Sequence, residues 1–168
     1  MMTESKKIFL DTNVLIYQTF EDFDREKHEI VCRVLEELSE NNYKIYISSQ
    51  ILREYFSIST NSKFFGKPLE VEEALSKIEE FCNNFEVVYD SALSISKLKQ
   101  IVPKYRIRKK NIHDANIVAA MMANQIDEIF TLNTRDFSRY EEIELYKIKK
   151  DAREQDMSPQ PGTEQELS

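Results

Sequence analysis

The chain of 168 residues contains only two glycines, Gly66 and Gly162, and no tryptophan. Two glycines cannot build a G-x-G-x-x-G dinucleotide turn or a Walker A loop, so phosphate recognition by a Gly-rich cradle is excluded. Its two cysteines, Cys32 and Cys82, form no metal-spaced pair and no disulfide framework. They read as buried free thiols in a reducing, cytoplasmic setting. No apolar run approaches the roughly 18 residues that a membrane span requires. The polar residues 1–7 lead straight into an apolar run, leaving no room for a signal peptide, and no membrane partner is expected. Excess positive charge is lacking too: the formal net charge is −7, which argues against broad attraction to nucleic acid. Part of this acidity is peripheral, because residues 151–168 hold five acids against Arg153 and leave residues 1–150 at −3.

What remains is the composition of a globular protein, 41% hydrophobic and 32% charged. The length fits one domain over residues 1–150, followed by an acidic tail, 151–168, whose "SPQPGTEQELS" reads as disordered. Apolar runs at 8–10, 43–47 ("YKIYI"), 85–90 ("FEVVYD"), in "EIFTL" and in "ELYKI" predict strands. Helical spacing is found at 13–20, 23–42, from Ser48 or Ser49 through "ILREYFSIST", at 69–82, at 91–101 and at 113–124. Asp90 reads as the cap of the helix from Ser91, and Pro103 as its stop. This alternation predicts an α/β protein with a central parallel sheet of four to five strands between helical layers.

Within "KKIFLDTNVLIY", Asp11 comes immediately after a run built for burial. It is either a helix N-cap or the first piece of a site, because ligands in open α/β sheets bind beyond the carboxyl ends of strands. Several other polar residues fall at the same edge if the strands end as predicted. Ser48 follows the second strand, with Glu54 two turns into the next helix, and Asn133, Arg135 and Asp136 follow the fourth. Asp114 opens the helix "HDANIVAAMMAN", where the helix dipole favours an acid. Taken singly, each acid has an ordinary explanation: a cap for Asp11 and Asp136, a solvated helix position for Glu54, the dipole for Asp114. Taken together, carboxylates so gathered repel one another, and a hard divalent cation such as Mg²⁺ or Mn²⁺ would offset that charge.

The basic stretch "KYRIRKKNIHD" places Lys104, Arg106, Arg108, Lys109 and Lys110 just before Asp114. It is either a solvated loop or a ridge that guides RNA phosphates, with Tyr105 available for base stacking. Arg135 stands beside Asp136 as a phosphate contact or a local counter-charge. His28 reads as a surface residue. His113 is either a helix-terminal solvent-facing residue or a partner of Asp114. Phe64 and Phe65 in "KFFGKP" would mark an interface if exposed.

The blocks "IFLDTNVLIY", "ISSQILREYF" and "IHDANIVAAMMANQIDEIFTLNTRDF", in this order and at these intervals, resemble the signature blocks of PIN-domain proteins, and among them the VapC-like toxins and related predicted ribonucleases. The resemblance covers residues 6 to about 148. It implies a three-layer α/β/α fold and a Mg²⁺- or Mn²⁺-dependent endoribonuclease acting on single-stranded or structured RNA, with 5′-phosphate and 3′-hydroxyl products. Asp11, Glu54 and Asp114 match the family's first three acids, as catalytic and metal-holding residues. For the fourth acid, Asp136 matches one acidic position and Asn133 another at which relatives carry Asp. Thr131 matches the hydroxyl residue preceding that group, and Asn13 the polar residue that orients the first acid. A toxin of this kind implies a small antitoxin partner and a homodimer. Two rivals stand beside this reading. An aspartate-nucleophile phosphotransferase requires Asp where this chain has Asn13. A degenerate PIN domain that only binds RNA or protein keeps its place because of Asn133.

Overall fold

The computed structural model describes residues 4–150; the expected disordered tail, 151–168, lies outside the described residues. Five parallel strands form one sheet: β1 (Lys7–Leu10), β2 (Lys44–Ser48), β3 (Glu86–Val88), β4 (Glu128–Phe130) and β5 (Glu144–Leu145). Among the described residues, seven α-helices connect and flank them: α1 (Thr12–Thr19), α2 (Arg25–Glu40), α3 (Ser49–Ser59), α4 (Val71–Asn84), α5 (Ala92–Lys104), α6 (Ile112–Ala123) and α7 (Thr134–Phe137). The result is the expected three-layer α/β/α architecture.

The strand order is β3-β2-β1-β4-β5, and it explains where a site can form. The chain lays β2 and β3 outward on one side of β1, then crosses back to place β4 on the other side. That reversal opens a crevice beyond the carboxyl ends of β1 and β4, where side chains from adjoining turns converge. The central position of β1 accounts for its unbroken apolar run: Ile8, Phe9 and Leu10 are all fully buried. Phe9 pairs with Tyr46 on one side and Ile129 on the other, so the strand ends are held in a common register.

Helices α1, α2 and α3 pack together, with α4 against α3, while α5 packs on α6. Helix α6 is apolar around most of its circumference and buries Ala115, Ile117, Val118, Ala119, Ala120 and Met121. Asp114 lies in its first turn.

Several local expectations are corrected. Helix α2 starts at Arg25, capped by Asp24, whose side chain accepts from Lys27 N; a 3-10 turn at Glu21–Phe23 precedes it. Ser91, not Asp90, caps α5, through reciprocal bonds with Ser94. Pro103 lies inside the last turn of α5, where its exposed ring meets solvent and the helix ends at Lys104. Asp136 is not the cap of α7; Asn133 holds that position and Asp136 sits in the first turn, accepting from the Asn133 amide. β4 and β5 are shorter than predicted, ending at Phe130 and Leu145, and just beyond β4 the Leu132 N–H donates to Asn13 Oδ1 of α1. Neither cysteine is buried: Cys32 is half-buried and Cys82 lies on the outer face of α4. Phe65 is buried, stacked on Phe20 at 3.8 Å between ring centroids, whereas Phe64 is exposed.

Candidate active site

Asp11 is the helix N-cap that the sequence allowed, and it lies at the sheet edge where a site could form. It stands at the N-cap of α1, where its Oδ1 accepts from Thr12 N at 2.7 Å, and it is buried at the crevice between β1 and β4. Its Oδ2 accepts from Asn13 Nδ2 at 3.0 Å and from Thr131 Oγ1 at 2.8 Å. Asn13 Nδ2 also reaches Thr131 Oγ1 at 3.1 Å, and Asn13 Oδ1 accepts from Leu132 N at 3.2 Å. Thus α1 and the turn after β4 are stitched together around one carboxylate. Asn13 and Thr131 orient Asp11; they do not point away from it.

Glu54 reaches the same edge from α3. Thr12 Oγ1 donates to its Oε2 at 2.7 Å and Gln50 Nε2 to its Oε1 at 2.8 Å. Gln50 lies one helical turn before Glu54, a spacing at which side chains on a helix meet. Asp114 is half-buried at the start of α6, and Asp136 is half-buried in α7 beside exposed Asn133.

The electrostatics tie these four acids to one another. Burial pushes the Asp11 carboxyl up to about 6, and the charges of Glu54 and Asp114 add to this against the hydrogen bonds from Thr131 and Thr12. Asp114 is likewise raised to about 6, first by burial, then by Asp136 and Glu54, with Arg139 and His113 opposing. Two carboxyls raised by burial, and further by neighbouring acids, mark a place where added positive charge would be favourable. Among the described residues no three such side chains converge closely enough to enclose an ion. The donor set nevertheless fits a hard cation that keeps much of its hydration, since Mg²⁺ is usually held by one or two carboxylates together with water and phosphate oxygens.

The basic segment divides. Lys104 Nζ pairs with Glu142 at 2.8 Å and Glu141 at 3.3 Å, and this pairing raises its pKa. Tyr105 donates to Glu142 Oε2 at 2.7 Å, accepts from Glu141 N and packs edge-on against Tyr140. Lys104 and Tyr105 therefore latch α5 to the segment after α7, with Lys104 still exposed. Arg106, Arg108, Lys109 and Lys110 are exposed and form no ion pair among the described residues. Arg106 and Lys109 adopt left-handed backbone, φ 51° and 54°, which keeps this loop tightly turned immediately before α6. Arg135 is exposed on α7, next to Asp136. Arg139, which sequence reading passed over, faces Asp114 electrostatically and lies over the Tyr140 ring.

His28 is half-buried, with Nδ1 2.8 Å from the Tyr17 carbonyl and Nε2 beside Cys32, and it takes no part in the acidic crevice. His113 is exposed and contributes its backbone carbonyl, which accepts from Gln50 Nε2 at 3.0 Å. Gln50 and Asn116 were also passed over, being neutral amides. The sequence signal that finds Gln50 is its four-residue spacing from Glu54, and Asn116 lies two residues after Asp114.

Solved structures share this fold. VapBC2 from Rickettsia felis bound to a promoter DNA fragment is 23% identical, with a TM-score of 0.61 over 83% of this chain and 97% of that one. DNA-bound VapBC from Salmonella typhimurium is 22% identical, with a TM-score of 0.61 over 84% and 97%. Mycobacterium tuberculosis VapC20, a sarcin-ricin loop cleaving toxin, is 17% identical, with a TM-score of 0.52 over 73% and 86%. No curated protein sequence matches the chain significantly. A family model described as PIN domain matches residues 8–143, most of the chain. The order of motifs, the β3-β2-β1-β4-β5 sheet and the span of that match agree, and the chain belongs to the PIN-domain family.

Proposed function

We propose that this protein is a divalent-metal-dependent endoribonuclease that hydrolyses phosphodiester bonds of RNA, and that it acts as the toxin of a toxin–antitoxin pair. The observation that carries the reading is the siting of Asp11 and Asp114 at the switch point of a parallel sheet, where burial first and neighbouring carboxylates second (Glu54 for both, Asp114 for Asp11, Asp136 for Asp114) raise each to about 6. Family membership supports it, as does the likeness of fold to a toxin described as cleaving the sarcin-ricin loop.

In this reading Asp11 and Asp114 hold Mg²⁺ or Mn²⁺, and Glu54 and Asp136 complete the acidic surround. When bound, such an ion supplies Lewis-acid charge for the phosphoryl oxygens and lowers the pKa of water. The rest is done by this chain's own groups. Thr131, Asn13 and Thr12 donate to Asp11 and keep its carboxylate in one orientation. Asn133 holds Asp136 through its side-chain amide. Arg106, Arg108, Lys109, Lys110 and Arg135 offer charge for the phosphates flanking the cleaved bond, a local attraction that acts despite the negative total. Cleavage leaves a 5′-phosphate and a 3′-hydroxyl.

The partners of this reading are RNA, an antitoxin protein and a second copy of the chain. The neighbours described as VapBC assemblies support the antitoxin. Exposed Val71 and Leu75 on α4 and Leu93 and Ile95 on α5 provide apolar surface for a protein partner. The test is cleavage of a mixed single-stranded RNA pool in Mg²⁺, Mn²⁺ or EDTA. Cutting confined to the metal-containing samples is expected. RNA binding by the folded protein without cutting in any sample would overturn the enzymatic reading in favour of a degenerate binding module.

A further inference from the structure

We propose that Gln50 is a positioning residue that sets the separation between the carboxylates of α3 and α6, with Asn116 fixing which way its amide faces; this rests on the reading of the acids as a cation site. Gln50 is 8% exposed, and both protons of its amide nitrogen are in use. One goes to Glu54 Oε1 at 2.8 Å, the other to the carbonyl of His113 at 3.0 Å. His113 immediately precedes Asp114, so a single nitrogen joins the helix of the second acid to the backbone carrying the third.

The direction of the amide follows from its neighbours. Asn116 Nδ2 donates to Gln50 Oε1 at 2.8 Å and to Asp90 Oδ1 at 3.2 Å. An ionised carboxylate only accepts, so Asp90 requires the NH₂ end of Asn116 to face it. That NH₂ in turn requires the oxygen of Gln50. The nitrogen of Gln50 is then left for Glu54 and His113, whose oxygens accept from it. A flipped Gln50 would set its oxygen against a carboxylate and a carbonyl, leaving a buried polar group unmatched. With Thr12 Oγ1 donating to Glu54 Oε2, each oxygen of Glu54 accepts one bond and keeps a further lone pair. Residues from α1, α3, α6 and the segment between β3 and α5 thus hold one carboxylate at a fixed place relative to Asp114.

Small hard cations tolerate little variation in ligand geometry, and loss of a partner that orients a ligand typically weakens metal binding about 10- to 100-fold. The test is calorimetric titration of the full chain with Mn²⁺ for wild type, Gln50→Met and Asn116→Ala. Gln50→Met keeps the length and burial of the side chain but removes both donors. Asn116→Ala frees the amide of Gln50 to turn and acts from a partly exposed site, should Gln50→Met fail to fold. Each folded variant is expected to bind Mn²⁺ at least about tenfold more weakly. RNA turnover should fall through kcat with KM little changed, because the basic loop is untouched. Wild-type affinity in the folded variants, with only their melting temperatures lowered, would overturn the inference and leave the network as packing. Failure of the wild type itself to bind Mn²⁺ would overturn the cation-site reading beneath it.

Discussion

Thr131 Oγ1 lies 2.8 Å from Asp11 Oδ2 and gives it the only proton it has. The direction is forced, since the same oxygen accepts from Asn133 N at 3.0 Å and Asn13 Nδ2 at 3.1 Å. A residue of the turn after β4 therefore stabilises the ionised form of a buried acid at the end of β1. Replacing it with the isosteric Thr131→Val removes that stabilisation. A hydrogen bond to a charged group contributes about 1.5 kcal/mol, equivalent to roughly one pKa unit. The acidic limb of the cleavage–pH profile is expected to move up by about that much. An unmoved limb would show that Asp11 does not control it.

The two raised carboxyls make stability depend on pH. Asp11 and Asp114 titrate near 6 in the folded chain against 3.8 for an unperturbed Asp. Between those values the folded state holds more protons than the unfolded state, so their contribution to stability is full below the lower value and is lost as pH rises through the upper one. In EDTA, Asp114→Asn should therefore melt higher relative to wild type at pH 7 than at pH 4. The difference is read from paired thermal melts at the two pH values. A constant difference would remove the electrostatic account of Asp114.

The exposed basic loop and Lys104 should behave differently. Neutralising Lys109 and Lys110 together is expected to weaken RNA binding and to reduce the salt dependence by roughly 0.7 in slope for each phosphate that the variant no longer neutralises. A slope equal to wild type would return this loop to the class of solvated turns.

Lys104→Met, by contrast, removes a partner of Glu142 and Glu141. Its salt slope should match wild type, while its melting temperature falls slightly, as for other surface pairs. A reduced slope with an unchanged melting temperature would place Lys104 among the RNA-facing residues after all.

These contrasts show where sequence was informative. The strand at 8–10 and the helix around Asp114 were legible because full burial leaves a nearly continuous apolar record. Asp11, Glu54 and Asp114 each carry an ordinary explanation singly, and only their order within family-like blocks marks them as a group. Lys104 and Arg106 look alike in sequence, and only the fold brings Glu142 back onto Lys104 from 38 positions away. The burial of Phe65 beside exposed Phe64 depends on where Phe20 lies, which no local pattern contains. Gln50 and Asn116 carry no charge and sit at helical positions where polar residues are unremarked, so their role emerges only from the meeting of α3 with α6.

Asp114 is the residue on which the proposed cation-dependent cutting depends most. The most direct measurement is the single-turnover rate of RNA cleavage in Mn²⁺ by wild type and Asp114→Asn, each shown to be folded by its thermal melt. Metal-dependent cutting by the wild type is expected, with a loss of at least about a hundredfold in the variant, the scale of removing a principal catalytic group. A folded Asp114→Asn that cuts at a rate near wild type would contradict that role for Asp114.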